Sequence, residues 1–374
     1  MRIGVNARLM IEGKMDGIGW FASESLRCMV AAHPGDTFVF FFDRKPSPAF
    51  LFADNVQSVV LHPPARHPIL WCIFFEWSLW RALRRHRIDV LLSPDGYLPL
   101  RCHIPTLAVI HDLNFEHAKG NLRPSHQWYM KHFFPRFARC ATRVATVSEY
   151  SRRDIASTYH IPLNKIDVVY DGAHAAYRPR TEDENRSTRS RYTAGAHYII
   201  FISTILKRKN LSTLLTAFDR VRDRHDIRLV VVGSRVWWQD ELKDAYDAMA
   251  HAADVLFLGH ADTSELSLLL SAADALVYPS LFEGFGIPVL EAFYAETAVI
   301  ASNTTSIPEV AGDAALLVDP RDVGAIADAI ERLLLSPSLR DELIQRGRRQ
   351  RTLFSWQRTA SLLWQSLQQT IAVR

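Results

Sequence analysis

Short apolar runs rich in β-branched residues alternate with helical stretches along almost the whole chain, and this alternation restricts the fold more than any other feature. In the first half, the predicted strands are residues 2–5, 37–42, 57–61, 88–92, 106–110, 143–147 and 166–170. The alternation resumes with predicted strands at 198–202, 228–232, 255–258, 275–278, 298–301 and 315–318. Such alternation is typical of parallel sheets covered by helices on both faces. The sequence therefore predicts an α/β protein with two doubly wound, Rossmann-like domains that face each other across a cleft.

The boundaries follow from the polar interval at residues 178–196, which has no apolar periodicity and is predicted to be a linker. It separates an N-terminal domain, 1–177, from a C-terminal domain, 197–353. The last segment, 354–374, has an amphipathic helical pattern, and we expect it to pack back on the first domain.

Composition excludes several classes of protein. A hydrophobic content of 48% and a charged content of 22% are those of an ordinary globular protein, and a formal net charge of +4 is too small for a nucleic-acid binder. The four cysteines are scattered without metal-binding spacing, which favours a reduced, cytoplasmic setting. The N-terminus lacks the long apolar region of a signal peptide, so export is not expected.

One apolar run, residues 69–80, is followed closely by Arg81, Arg84, Arg85 and Arg87. It has twelve residues and contains Glu76, so it is too short and too polar to span a bilayer. Two interpretations stay open, a buried core helix and an interfacial helix that touches a membrane surface through a cationic end.

The most informative motif is EGFGIPVLE, from Glu283 to Glu291. It places Glu283 in a glycine-bearing turn after an apolar strand and Glu291 in the predicted first turn of the next helix, where Pro288 suits the first helical position. Backbone N–H groups at such a turn can hold an anion, and the glutamates can accept hydrogen bonds from hydroxyls. The pattern predicts a sugar-nucleotide pocket; the alternative is a solvated turn followed by a glutamate that favours its helix terminus.

A second motif, STILKRKNL, follows the strand 198–202 and places Lys207, Arg208 and Lys209 before a helix whose predicted N-cap is Asn210. Cations beside a helix N-terminus can clamp a diphosphate. The alternative is a solvated basic turn.

Near the N-terminus, DGIGWFA places Gly17 and Gly19 ahead of a helix. These glycines, with Ala22 and Asp43, also match a dinucleotide fingerprint, but about ten residues separate Val5 from Gly17, whereas the fingerprint follows its strand almost directly. We interpret the glycines as allowing backbone to approach a ligand, with a plain flexible loop as the alternative.

Three further candidates lie at predicted strand ends. His111, in VIHDL, is expected to point toward the crevice and donate to a substrate, unless it is a structural histidine bonded to Asp112 or nearby backbone. Ser148 and Ser151, in VSEYS, are expected to cap the next helix and are candidate acceptor contacts together with Asp112.

Taken together, these residues resemble the retaining glycosyltransferases of family 4, which have the GT-B fold. The resemblance runs through nearly the whole chain, in DGIG, VIHDL, TVSEYS, VVYDG, TILKRKNL, GHADTSELSLLLSAADALVYPSLFEGFGIPVLEA, SIPEVAGDAALLVDP and FSW. Within the family, the motif sequences are most similar to those of bacterial mannosyl- and rhamnosyltransferases of O-antigen or exopolysaccharide assembly.

The resemblance implies roles for individual residues. Glu283 would stand beside the donor sugar and Glu291 on the donor ribose, while Lys209 would bind the diphosphate. Thr204 stands where the family has an arginine, and Arg208 would supply the missing guanidinium. The backbone amides of Gly284, Phe285 and Gly286 would hold sugar and phosphate oxygens, and Ile287 is a further implied donor contact. The base pocket would be lined by residues 262–266 and by the loop after Val232, which begins with Gly233.

The chain departs from the family pattern at Glu296 and Ala298, where glycine and proline are usual, and we expect this departure to affect the geometry of that loop more than the activity. The implied activity is transfer of a hexose, with mannose favoured and rhamnose next, from a nucleoside diphosphate sugar to a glycan or lipid-linked glycan in bacterial surface polysaccharide synthesis. Glu283, His111 and Lys209 are the candidate catalytic residues. A GDP-sugar is the favoured donor, no cofactor, metal or nucleic acid is expected, and the enzyme would be cytoplasmic with peripheral contact to the inner membrane.

Two other functions remain open on the same architecture. One is a sugar nucleotide 2-epimerase, whose cue is product formation without an acceptor. The other is a non-catalytic nucleotide-sugar-binding subunit, which would bind the donor without hydrolysis or transfer.

Overall fold

The computed structural model describes residues 1–117 and 123–373, and the chain divides into two compact units. Unit 1 comprises Met1–Gly172 together with the C-terminal segment from Ser355, and unit 2 comprises Ala173–Phe354. Each unit is built on a parallel sheet with flanking helices, as the alternation predicts.

The sheet of unit 1 contains seven strands within the described residues, in the order β3-β2-β1-β4-β5-β6-β7. Its strands are β1 (Arg2–Asn6), β2 (Thr37–Phe42), β3 (Val56–Val60), β4 (Val90–Ser93), β5 (Thr106–Val109), β6 (Arg143–Thr146) and β7 (Ile166–Val168). Most residues of the central strands are buried, because helices cover both faces of a parallel sheet. Every strand overlaps a predicted run.

Helices connect these strands, and the first begins at an aspartate cap, since Asp16 accepts from the N–H of Gly19 at 2.9 Å. The helices of this part are α1 (Gly17–Ala32), α2 (Pro68–Ile73), α3 (Trp80–Arg85), α4 (Asn114–His117), α5 (Pro124–Cys140) and α6 (Glu149–Tyr159). A π-helical stretch, Phe74–Leu79, joins α2 to α3 in one continuous helical run.

The sheet of unit 2 contains six strands, all within the described part of the chain, in the order β10-β9-β8-β11-β12-β13. They are β8 (Tyr198–Ile202), β9 (Arg228–Val232), β10 (Val255–Gly259), β11 (Ala275–Tyr278), β12 (Ala298–Ser302) and β13 (Leu316–Val318). Strands are added toward one edge of the sheet from β8 to β10 and toward the other edge from β11 to β13. Strands β8 and β11 pair in parallel at this switch point, so their carboxyl ends are neighbours. Ligands in doubly wound sheets bind beyond such a switch point.

The helices of unit 2 are α7 (Glu182–Thr193), α8 (Leu211–Arg222), α9 (Asp240–Asp247), α10 (Thr263–Ser271), α11 (Ile287–Ala295), α12 (Ile307–Ala311), α13 (Val323–Leu335) and α14 (Pro337–Gln350). Short 3₁₀ turns occur in both units, at Pro48–Phe50, Leu163–Lys165, Lys207–Lys209, Ala252–Asp254 and Arg351–Leu353.

Helix α7 corrects the interval that was predicted as a linker. Thr181 and Glu184 form a capping box at its start, and the hydroxyl of Tyr192 donates to Glu265 at 2.5 Å on α10. The interval lacks an apolar stripe because polar contacts help to hold the helix to unit 2, and these include the Arg189 side chain, which donates to the carbonyl of Ala272 at 3.2 Å. The division between the units falls before this helix, at Gly172, rather than at residue 177.

The C-terminal helix α15 (Trp356–Ala372) belongs to unit 1 and packs against α1. Its hydroxyl groups tie it to the end of the first sheet, since Thr359 donates to the carbonyl of Tyr170 at 2.5 Å and Ser366 to Asp167 at 2.5 Å. Arg374, the last residue of the predicted segment, lies outside the described residues.

Candidate functional site

The glutamate motif forms a tight turn between β11 and α11. Gly286 stands at the N-cap of α11 with φ of +105°, a conformation that favours glycine, and a Cβ there would lie 2.4 Å from Cδ1 of Ile307. The helix N-terminus is therefore capped by a residue without a side chain, next to the buried Gly284 and Phe285 and the partly buried Ile287. The N-terminus of a helix is a type of site at which proteins bind anions.

Two cations of the second motif converge on Glu283. Nζ of Lys209 lies 2.5 Å from Oε1 of Glu283, and Nη1 of Arg208 lies 3.1 Å from Oε2. Tyr278, the last residue of β11, donates its hydroxyl to the same Oε1 at 2.8 Å. Lys209 and Glu283 are each only 7% exposed, so neither is the solvated turn residue of the alternative interpretation.

The electrostatics of this cluster are dominated by the two cations. Burial alone would raise the pKa of Glu283, but Lys209 and Arg208 outweigh it and lower that pKa to about 2. Glu283 is therefore a carboxylate at any physiological pH. Among these three charged groups, two positive charges share one negative charge, which leaves a local excess of positive charge that suits a diphosphate.

The turn is fixed by residues that the sequence interpretation missed. The Ser306 hydroxyl donates to the carbonyls of Glu283 and Phe285 at 2.9 and 3.0 Å, and the Glu283 N–H donates to Thr305 at 3.2 Å. Both residues directly precede α12. The position of Tyr278 at the end of an apolar strand, five residues before Glu283, was a signal that could have identified it.

Glu291 lies deeper in α11 than predicted. The helix begins at Ile287, so Glu291 is its fifth residue and lies beyond the first turn. Burial raises the pKa of Glu291 to about 7, and a hydrogen bond from the Tyr177 hydroxyl opposes that rise. The two motif glutamates thus have opposite pKa shifts, because a pair of cations accompanies Glu283 and a neutral phenol accompanies Glu291.

The loops after β8 and β9 meet at their backbones. Gly233 has φ of +143°, and a Cβ at that position would lie 1.8 Å from the carbonyl oxygen of Ser203 and 3.1 Å from the N–H nitrogen of Thr204. Only glycine permits this approach. The structure therefore brings Gly233 next to the exposed Thr204. Asp262 caps its own helix by accepting from the Glu265 N–H at 2.9 Å, and the Glu265 carboxylate accepts from Tyr192 of α7.

Asn210 does stand at the N-cap of α8, but its side chain does not cap the helix. The residue has φ of +60°, and its amide donates to the carbonyls of Pro279 and Pro320 at 3.1 and 2.6 Å. It links the end of β8 to the loop after β11 and so helps to hold Lys209 in place.

In unit 1, His111 follows β5 and is a partly buried residue. Its Nε2 lies 2.8 Å from the carbonyl oxygen of Pro94, and the edge of Phe21 contacts the ring at 4.8 Å between centroids. Burial lowers the pKa of His111 below its usual value. A carbonyl can only accept, so the neutral ring carries its proton on Nε2, and the geometry is that of the backbone-bonded alternative.

The remaining candidates of unit 1 have local structural roles. Gly17 and Gly19 lie inside the first turn of α1 rather than ahead of it, and a Cβ on Gly19 would come within 3.0 Å of the carbonyl oxygen of Leu9. The Ser148 hydroxyl accepts from the Ser151 N–H at 3.0 Å, which makes Ser148 the predicted cap of α6. Asp112 accepts from the Asn114 N–H at 2.8 Å at the start of α4.

Glu296 has a left-handed backbone conformation, which favours glycine. It ends α11 with φ of +60°, and its carboxylate is paired with Arg348 and with Arg351, the latter at 3.4 Å. The neighbouring Ala298 begins β12 in regular register with Ala275. The departure from the family pattern is therefore accommodated locally.

No three histidine, cysteine, aspartate or glutamate side chains are placed to hold a metal ion within residues 1–117 and 123–373. Among the helices that the structure describes, none combines the length and the apolar character required to cross a bilayer.

Two Rossmann-like units in series, each with a parallel sheet, define the GT-B class of fold. The family model "Glycosyltransferase Family 4" matches residues 15–177, and the model "Glycosyl transferases group 1" matches residues 184–350. The solved structure of a sucrose-phosphate synthase from Thermosynechococcus elongatus is similar over 100% of both chains, with a TM-score of 0.79 and 18% identity.

Proteins with similar sequences show the family to which the chain belongs. The chain is 32% identical over 284 residues to an O-antigen chain mannosyltransferase B of Escherichia coli, which covers 74% of this chain and 73% of the relative. It is 25% identical over 287 residues to the O-antigen chain mannosyltransferase RfbU of Salmonella typhimurium, covering 76% of each. The chain belongs to the family 4 glycosyltransferases, and the resemblance seen in its motifs is confirmed.

Proposed function

We propose that this glycosyltransferase moves a mannosyl residue from a nucleoside diphosphate sugar, GDP-mannose being favoured, to a hydroxyl of a lipid-linked glycan during synthesis of a surface polysaccharide. Two relatives named as O-antigen chain mannosyltransferases support mannose as the sugar and a surface polysaccharide as the product. The observation that carries the proposal is the buried cluster of Glu283, Lys209 and Arg208 beside the glycine-capped start of α11.

The donor diphosphate would lie against this cluster. Lys209 and Arg208 supply two positive charges near the N-terminus of α11, and the dipole of a helix favours an anion at that end. Glu291 would accept from a ribose hydroxyl. Its pKa of about 7 means that it starts partly protonated, so donor binding at neutral pH would favour the carboxylate and release a fraction of a proton.

Cleavage of the anomeric bond places negative charge on the leaving diphosphate, and preorganised cations stabilise that charge as it develops. We propose retention by front-face attack, in which the leaving phosphate oxygen takes the proton of the acceptor hydroxyl. Glu283 would orient the sugar, because its carboxylate stays ionised and fixed by Lys209 and Tyr278. In unit 1, His111 would contact the donor sugar, with its ring held by Pro94.

Donor binding is tested with a panel of nucleoside diphosphates in a thermal-shift assay. The matching diphosphate should raise the melting temperature by mass action. Lys209→Met should weaken its affinity by roughly tenfold to a hundredfold, since a charge-assisted contact contributes about 1.5–3 kcal/mol. Lys207→Met is the matched control, because Lys207 is exposed and pairs with Glu241; equal losses in both variants would contradict the assignment.

Transfer is tested with labelled GDP-mannose and lipid-linked glycan extracts, and the anomeric configuration of the product is read by NMR. Glu283→Gln should abolish most transfer, while Glu331→Gln, which removes an ion-paired glutamate elsewhere in unit 2, should not. Full activity in Glu283→Gln would end the proposed role. Donor binding without transfer to any glycan would favour a binding subunit, and sugar isomerisation without acceptor would favour an epimerase.

A further inference from the structure

The helical run from Pro68 to Arg85 is amphipathic, and only one side of it enters the core of unit 1. Its buried side chains pack into the hydrophobic cluster of that unit and are Trp71, Phe74, Phe75, Leu79, Ala82 and Leu83. The opposite side exposes large apolar side chains at every fourth position: Ile69 at 66%, Ile73 at 42% and Trp77 at 53%. We call these three residues the Trp77 face.

A neighbouring helix adds to the exposed apolar surface of this unit. Helix α5 packs on α2 through the rings of Trp71 and Tyr129, whose centroids are 5.0 Å apart. The next residue back along α5, Trp128, is 63% exposed. Exposed tryptophans on adjacent helices are costly in water unless something covers them.

Positive charge is concentrated on the same two helical segments. Three arginines and one glutamate lie in residues 68–85, and three basic residues and no acidic residue lie in residues 124–140. The whole chain has a formal net charge of +4, so the rest of the chain is net negative. The cationic character of this protein therefore resides largely beside its exposed apolar side chains.

The single glutamate of the first segment does not oppose this charge at the surface. Oε1 of Glu76 accepts from the backbone N–H of Leu100 at 2.7 Å, which occupies it within the fold. In contrast, Arg81 extends over the ring of Trp77, with its guanidinium carbon 5.5 Å from the ring centroid. Arg81, Arg84 and Arg85 are all exposed.

We propose that the Trp77 face docks this enzyme on an anionic phospholipid bilayer. The indole of Trp77 would lie at the headgroup level with Ile69 and Ile73 beside it, while Arg81, Arg84 and Arg85 bind lipid phosphates. A tryptophan stripe next to clustered arginines fits a lipid surface, where apolar and anionic layers are adjacent. The docking inference depends on this surface alone, and only its benefit for a lipid-linked acceptor rests on the proposed function.

The test is flotation of the full chain with vesicles of phosphatidylcholine, with and without phosphatidylglycerol, at low and high salt. The chain should bind the anionic vesicles, and the binding should weaken with salt and be much weaker on phosphatidylcholine alone. Ile73→Glu/Trp77→Glu should reduce partitioning at least tenfold, and Arg81→Glu should reduce it at least fivefold, since each basic residue near an anionic surface contributes about that factor.

Matched controls place the same changes on unit 2. Leu335→Glu alters an exposed leucine, 68% exposed on α13, and Arg186→Glu reverses an exposed arginine on α7; neither should change partitioning. The proposal is overturned if the unaltered chain ignores anionic vesicles or if the controls lose as much binding as the variants. It is also overturned if the Trp77 face instead mediates self-association, seen by sedimentation as a dimer that Ile73→Glu/Trp77→Glu disrupts without any vesicle binding.

Nucleoside diphosphate binding, measured by thermal shift without vesicles, separates this inference from the proposed function. It should be unchanged in the variants of the Trp77 face, and a normal melting temperature shows that they fold. Loss of vesicle binding with intact nucleotide binding supports docking. Failure of nucleotide binding in the unaltered chain would contradict the proposed function and leave the vesicle result to decide docking.

Discussion

The buried ion cluster makes an asymmetric prediction for the free energy of unfolding. Glu283→Gln leaves Lys209 and Arg208 in a buried place without their carboxylate, and breaking such a pair costs about 3–5 kcal/mol. The lowered pKa agrees, because a fall from 4.5 to about 2 corresponds to roughly 3 kcal/mol of preference for the ionised form. Lys209→Met should cost less, about 1–3 kcal/mol, since Arg208 and Tyr278 still hold the carboxylate.

The assay is scanning calorimetry of the full chain at pH 7 for both single variants and for the double variant. A change of 3–5 kcal/mol in unit 2 should lower its melting temperature by roughly 6–20 °C. The double variant should be less destabilised than the sum of the singles, with a coupling energy of about 2 kcal/mol. Glu331→Gln is the control, because that pair is more exposed and should cost less than about 1 kcal/mol.

The pH dependence of the free energy of unfolding tests whether the ionised form of Glu283 stabilises the fold. A carboxyl whose folded pKa is depressed contributes stability above its ordinary pKa of 4.5 and loses it as the pH falls toward about 2. The difference between the unaltered chain and Glu283→Gln should therefore shrink below pH 4.5. Additive effects of Glu283→Gln and Lys209→Met, or a loss no larger than in Glu331→Gln, would refute the reasoning.

Three further predictions concern single positions. Glu291→Gln should stabilise the ligand-free chain by up to about 3 kcal/mol above pH 7, and it should have no such effect below pH 4.5. The reason is that a carboxyl group with a raised pKa lowers the free energy of unfolding as the pH rises from 4.5 to 7. Melting temperatures measured against pH test this. Gly233→Ala should cost at least about 3 kcal/mol through its clash with the Ser203 carbonyl, whereas Gly195→Ala, in open space at φ of +87°, should cost about 1–2 kcal/mol. Glu296→Gly should be less destabilising than Glu296→Ala by about 1 kcal/mol, since both lose the ion pairs but only glycine relieves the left-handed backbone; the reverse order of melting temperatures would contradict this.

Local patterns were enough to predict most of the architecture. Every strand of both sheets overlaps an apolar run seen in the sequence, because a buried parallel strand needs a continuous apolar stretch of limited length. Helix α7 was missed because its surface is polar, although Thr181 and Glu184 carried the signal of a capping box. Apolar periodicity does not identify a helix of this kind, because polar contacts help to hold α7 to unit 2.

The candidate site was predictable in its parts but not in its geometry. The motifs identified Glu283, Arg208 and Lys209, and all three are brought together after neighbouring strands. The same reasoning placed Glu291 in the first turn of α11, one residue earlier than its position there, and treated Asn210 as a simple cap, since a helix boundary depends on the φ angles of residues such as Gly286 and Asn210. Ser306 was missed because the carbonyls that it contacts are more than twenty residues away in the sequence, whereas Tyr278, five residues before Glu283, was missed although its partner is local.

By itself, the sequence determined which segments become strands, since a buried parallel strand depends on a continuous apolar run of a few residues. Only the tertiary structure decided that β8 lies beside β11, so that a lysine and a glutamate 74 positions apart form one ion pair. The tertiary structure also lowers the pKa of Glu283 to about 2 and raises the pKa of Glu291 to about 7. Burial and opposing charge act through space, and the distances that set them exist only after the sheet has assembled.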